Sequence, residues 1–142
     1  MKRFLAWLFF CLGLSACSAA THGSTGTMLA ACPTSPNCVV SEGDGWNIAP
    51  LAFGSARSWD DLRQAISDLG GTIEQDDGAL LHATYRSRFF GFIDDLTCRR
   101  DGDLVQIRSA ARTGWYDFGV NRRRVEQLRR MVESPVSGEG IR

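Results

Sequence analysis

The chain has 142 residues, 44% of them hydrophobic and 23% charged, with 16 basic residues set against 16 acidic ones. That length and composition describe one ordinary globular domain and exclude a wholly disordered chain. The formal net charge of zero leaves no basic footprint, so nucleic acid is not an expected partner.

Lys2 and Arg3 precede an apolar run from Phe4 to Leu14, and Leu14-Ser15-Ala16-Cys17 follows. The run is short for a bilayer span and has the flanks of a signal peptide. Its ending resembles a bacterial lipobox. The resemblance implies that residues 1–16 are a lipoprotein signal peptide and that Cys17 becomes an acylated N-terminus. Several acyl chains on one residue hold a protein to a membrane where a single chain does not. Ser18, where aspartate would mark inner-membrane retention, implies the outer membrane, with the domain facing the periplasm. Residues 17–31 read as a flexible tether with a reach on the order of 20 Å. His22 lies in it and is assigned no role. Once Lys2 and Arg3 are removed, 14 basic residues face 16 acidic ones, and every cation left is an arginine. Genome composition is the plainer reason; selection for bidentate pairing with carboxylate or phosphate is the sharper one.

Cys32-Pro33-Thr34-Ser35-Pro36-Asn37-Cys38 opens the folded part. In an oxidising compartment the two cysteines are read as a disulfide, adding about 2 kcal/mol by loop entropy. The spacing does not suit a zinc site or a redox pair, so no metal or cofactor is expected. Residues 43–54 are read as a loop with a short extended piece around Ile48, Pro50 and Leu51. Ser58 is the expected N-cap of a first helix, with Asp61 completing a capping box. Trp59, Leu62, Ile66 and Leu69 recur at helical spacing, and Gly70-Gly71 ends the run.

Four strands are expected next. A three-residue loop, Asp76-Asp77-Gly78, sets Ile73 opposite Leu81. Leu81, Ala83 and Tyr85 then share the inner face. Phe89-Phe90-Gly91-Phe92 makes a corner. A hairpin turning at Asp101-Gly102 pairs Cys98 with Val105, Leu96 with Ile107, and Asp95 with Arg108. Cys98 points inward as an inert thiol. Asp94 falls on the same inward face and needs a partner.

The segment from Arg108 to Glu126 runs from a strand end, through a break at Gly114, into a second helix capped by Asp117 or Asn121. Val125, Leu128 and Val132 mark its buried stripe. Arg122-Arg123-Arg124 sits near the helix start, where cations oppose the helix dipole. The preferred reading is structural: these arginines, Arg122 in particular, tie the helix to Asp94 and Asp95. The other reading is an anion site made with free helix N–H groups. The expected fold is α+β: a four-stranded, mostly antiparallel sheet flanked by two helices in the order α-β-β-β-β-α. It forms a single domain over residues 32–134, with a tail over 135–142.

Cys-Pro-x-x-Pro-Asn-Cys-Val at 32–39, Pro50-Leu51, Ser87-Arg88, Asp94-Asp95, Arg108-Ser109-Ala110-x-Arg112-x-Gly114 and Asp117-x-Gly119-Val120-Asn121-Arg122 resemble the domain of unknown function 1499 family. The resemblance covers about Cys32 to Glu133 and implies no chemistry. G-x-S-x-G, H-E-x-x-H and P-loop motifs are missing. The expected function is therefore a membrane-anchored envelope lipoprotein acting as a non-catalytic binding or scaffolding module. Its partners are the membrane, an envelope protein or a small anionic ligand. The alternative is a small hydrolase or anionic-ligand domain with its site around Asp94, Arg112, Asp117 and Arg122. The full candidate set adds Arg88, Asp95, Arg108 and Asn121.

Overall fold

A computed structural model describes residues 28–43, 48–53 and 58–133. The signal peptide, Cys17, His22, Trp46 and the tail 135–142 lie outside the described residues. Eight elements follow in order: β1 (Cys38–Val40), β2 (Leu51–Ala52), α1 (Trp59–Asp68), β3 (Thr72–Asp76), β4 (Leu80–Arg86), β5 (Ile93–Asp101), β6 (Leu104–Ala111) and α2 (Val120–Glu133). All strand pairs are antiparallel, in the order β1-β6-β5-β4-β3, and β2 also pairs with β6. The sheet thus has six strands rather than four, and two of them precede the first helix. β1 and β2 are too short to show a period of two. Only their backbone pairing, Val39 opposite Ser109 and Leu51 opposite Val105, makes them strands.

α1 starts as its sequence predicts. The Ser58 hydroxyl accepts the Asp61 N–H, and the Asp61 carboxylate accepts the Ser58 N–H at 2.7 Å. Trp59, Leu62 and Ile66 are buried, and Leu69 packs at the edge of the core. Both helices lie on one face of the sheet. Against them the strands present Val39, Leu81, Ala83, Tyr85, Leu96, Cys98, Val105 and Ile107. The leucine and isoleucine side chains here are fully buried, each contributing about 1.5–3 kcal/mol. Gly71 is needed where α1 meets the sheet: a Cβ there would lie 2.7 Å from Ile66 Cγ2 and 2.8 Å from Tyr85 Cζ.

Two registers differ from expectation. In the first hairpin Asp76 faces Leu81, a bulge follows between Ile73 and Gln75, and Ile73 faces Ala83. The extra bulge residue restores Ile73 to the inner face after the longer loop has displaced it. In the second hairpin Asp101 pairs with Leu104, so the two loop residues are Gly102 and Asp103. Gly102, at φ +61°, takes the first loop position, which is the glycine position of a type II′ turn. Cys98 therefore faces Ile107, Leu96 faces Ser109, and Asp95 faces Ala110. The slide is two residues, so every side chain keeps its expected face. The expected direct pairing of Asp95 with Arg108 is lost, because Arg108 faces Thr97.

Cys32 and Cys38 are disulfide-bonded, with Cα atoms 5.6 Å apart. Cys98 is free and buried, and burial pushes its thiol pKa up, which keeps it protonated and inert. No helix among the described residues is long and apolar enough to cross a membrane.

Candidate functional site

The β6–α2 junction is built around Asn121, which is fully buried. Its Oδ1 accepts from Ser109 Oγ at 2.6 Å and from Arg124 Nη1 at 2.6 Å. Its Nδ2 donates to the Asn37 carbonyl at 3.2 Å and to Asp117 Oδ2 at 2.9 Å. Asn37 comes from the disulfide clip, and its own amide donates to the Gly114 carbonyl. The clip therefore positions a residue that clasps both sides of the junction.

Asp117, not Asn121, closes the helix start. Its carboxylate accepts the N–H groups of Gly119 and Asn121, each at 2.9 Å. A carboxylate is favourable there for the same reason that a bound anion would be. It takes the place that the anion-site reading reserved for a ligand.

The arginine that ties α2 to the sheet is Arg124. Its Nη2 meets Asp94 Oδ2 at 2.7 Å, and Nη1 also donates to Ser109 Oγ at 3.1 Å. The guanidinium lies 4.2 Å from the Tyr85 ring centroid, a cation–π distance. Burial raises the Tyr85 pKa, with Arg124 opposing the shift, so the phenol stays neutral. Arg122, the expected tie, is exposed instead and borders a smaller hollow with Pro36, Tyr116 and Asp117. The reason is helical spacing. Position 124 shares a face with 121 and 128, whereas 122 is turned away.

Asp95 lies on the opposite face of the sheet. Arg112 pairs with it in bidentate fashion at 2.9 and 2.8 Å, and His82 Nε2 lies 2.8 Å from Oδ1. The Arg112 hydrogen bonds hold the Asp95 carboxyl below its usual range, against the opposing effect of burial. Arg108 is half-buried on this face; burial lowers its pKa and Asp95 partly restores it. The candidate residues thus separate into two clusters on opposite faces, as the pleat requires of Asp94 and Asp95.

Arg88 is the candidate that faces open space. It lines a cleft of about 560 Å³ together with Arg86, Ser87, Tyr85, Asp94, Arg123 and Arg124. Asp68 and Leu69 from the end of α1 close the far wall. Arg86 Nη1 donates to the Gly91 carbonyl at 3.2 Å, and Arg123 Nη1 to the Phe118 carbonyl at 2.7 Å. Carbonyl partners hold these guanidiniums without neutralising them. Of the carboxylates in the cleft, Asp94 is bound to Arg124, and Asp68 accepts from Gln64 at 2.8 Å. Neither histidine nor cysteine lines the cleft. Among the described residues no group of three His, Cys, Asp or Glu side chains could hold a metal ion. Sequence reasoning missed Arg86, Arg123 and Arg124 as distinct actors. The i, i+3 relation of Arg124 to Asn121 was the available signal.

The architecture defines a class: an α+β domain with one antiparallel sheet, two helices on one face and a disulfide-clipped entry strand. The family model described as protein of unknown function (DUF1499) matches residues 28–132, and the chain belongs to that family. No curated protein matches the chain.

Proposed function

We infer that this is a lipid-anchored protein of the bacterial envelope, and that its folded part is a non-catalytic binding module whose cleft takes an anionic group. The anchor rests on Leu14-Ser15-Ala16-Cys17 behind a charged and apolar leader. The single observation that carries the binding role is the charge balance of the cleft. Arg86, Arg88 and Arg123 line it with exposed guanidiniums and outnumber the one carboxylate there not paired with an arginine, Asp68, while Asp94 is committed to Arg124 behind them. Guanidinium forks match carboxylate and phosphate oxygens in geometry as well as charge. The carboxylates of the hydrolase alternative are each committed to structural partners, Asp94 to Arg124, Asp117 to Asn121, and Asp95 to Arg112 on the opposite face of the sheet.

Thermal melts with and without phosphate, at matched ionic strength, test the cleft. Phosphate should raise the melting temperature of the unmodified protein and leave that of Arg88→Ala combined with Arg123→Ala unchanged. Equal protection of both proteins, or of neither, would sink the reading. Acyl labelling tests the anchor, since Cys17→Ala should abolish it.

A further inference from the structure

The cleft opens at an end of the sheet where two loops carry aromatic side chains into solvent. The β4–β5 corner exposes Phe89 at 92% and Phe90 at 78%, with Phe92 stacked on Phe90 at 5.7 Å between ring centroids. The β6–α2 loop exposes Trp115 at 68% and Phe118 at 76%, with Tyr116 against Phe118 at 5.1 Å. The two loops are neighbours, because the Arg112 N–H donates to the Ile93 carbonyl at 2.9 Å where the first loop ends and the second begins. Isolated exposed apolar residues are normal, but six large aromatic rings exposed on two adjoining loops mark an interaction surface.

This surface is held in shape from behind. Arg86 bonds the Gly91 carbonyl inside one loop, and Arg123 bonds the Phe118 carbonyl inside the other. Phe118 itself has φ +56°, a left-handed conformation that is costly for a bulky residue. Strain of this kind persists where the surroundings enforce it, and it often accompanies function. Here it leaves an aromatic ring pointing away from the core.

Aromatic rings interleaved with arginines suit one environment in particular. Aromatic side chains settle at the level of lipid headgroups, and arginines meet the phosphates of anionic lipids. An acidic protein partner would account for the arginines but not for the number of large rings in loops rather than in a groove. A second copy of this chain would bring like charges together at Arg86, Arg88 and Arg123.

Building on the anchored-module reading, we propose that this end of the domain is a docking face for an anionic lipid bilayer. The aromatic loops enter the headgroup layer and the cleft arginines take lipid phosphates.

The test uses the full acylated protein with two kinds of vesicle, neutral phosphatidylcholine and phosphatidylcholine mixed with phosphatidylglycerol, each also prepared with brominated acyl chains. The signal that differs between the unmodified protein and Trp115→Phe isolates Trp115. Bromolipid should quench that signal in anionic vesicles and not in neutral ones. Arg88→Ala combined with Arg123→Ala should weaken docking roughly 30-fold. Phe89→Ser combined with Phe90→Ser, both in exposed positions, should weaken it without altering the melt.

The outcomes separate the claims. Protein that floats with both kinds of vesicle but leaves Trp115 open to aqueous iodide overturns the docking face and leaves the anchor standing. Protein that floats only with anionic vesicles and shows the quenching overturns the anchor and keeps the face. Shielding of Trp115 that rises with protein concentration in the absence of lipid, and does not change on adding vesicles, assigns the surface to a second copy and overturns the proposal. Phosphate protection in the melt is measured separately and bears only on the cleft.

Discussion

Arg123 and Arg124 are adjacent in sequence and do opposite work. Arg124 is buried among Asp94, Ser109, Asn121 and the Tyr85 ring, with a hydrogen bond or ring contact on each side of its guanidinium. Arg123, the residue before it, is exposed and held by a single loop carbonyl. The inner cluster is closed and satisfied, and the rim beside it is open and charged. A helix places neighbouring residues about 100° apart, so one arginine is directed to the sheet and the other to solvent. An arginine run therefore cannot be assigned one role as a block.

The comparison breaks most sharply at Arg124. Arg124→Ala takes the partner from a partly buried Asp94 and a hydrogen bond from each of Ser109 and Asn121, which should cost about 3 kcal/mol, the low end of the range for a buried pair. Urea unfolding should show the midpoint falling at unchanged slope, the shift multiplied by the slope giving that free energy; a loss below about 1 kcal/mol would mean that the closed cluster is not holding α2 in place. Asn121→Ala should cost about 1–3 kcal/mol, because Ser109, Arg124 and the Asn37 carbonyl each lose a partner in a buried setting. A near-neutral result would remove Asn121 as the centre of the junction.

Acid separates the faces further. Asp95 and Asp76 both titrate below the usual range when folded. Asp95 is held down first by Arg112, and Asp76 is lowered to about 2, first by its hydrogen bond from Arg63. A carboxyl whose pKa is depressed by folding stabilises the protein above its unfolded pKa of about 4. That contribution disappears as pH falls through the folded value. Melting temperature should therefore decline from about pH 4 downward. Arg112→Ala should flatten the part due to Asp95, and Arg63→Ala the part due to Asp76. An unchanged acid profile in both variants would contradict these pairings.

The smallest stability effect belongs to the rim. Phe118→Gly removes a left-handed penalty of about 1–2 kcal/mol, and glycine's greater freedom when unfolded returns about 0.5–1 kcal/mol. Melts should show stability unchanged or raised by at most about 1.5 kcal/mol, while bilayer quenching of Trp115 weakens. A variant that is clearly less stable would show that Phe118 serves the fold rather than the surface.

Much of the scaffold is legible in the amino-acid sequence. Ser58 and Asp61 announce the first helix because a capping box is local chemistry. Trp59, Leu62 and Ile66, then Val125, Leu128 and Val132, announce the buried stripes because burial repeats with the helix period. The inner faces of β4, β5 and β6 are readable from their alternation, and a two-residue slide in register leaves them intact. The clip is readable from two cysteines flanking a proline-rich loop.

Other features needed the assembled molecule. β1 and β2 are strands only because β6 offers its backbone groups to them. Asp95 finds Arg112 rather than Arg108 because Gly102 takes the first position of its turn. The choice of Arg124 over Arg122 depends on where α2 starts, which Asp117 decides by closing the helix three residues before Val120. The rim is clearest of all in this respect. Phe89, Phe90, Trp115 and Phe118 lie in separate loops, and no local pattern relates them. They share a surface because antiparallel pairing returns the chain to the same end of the sheet, and contacts between residues distant in sequence are set by that pairing rather than by any neighbour along the chain.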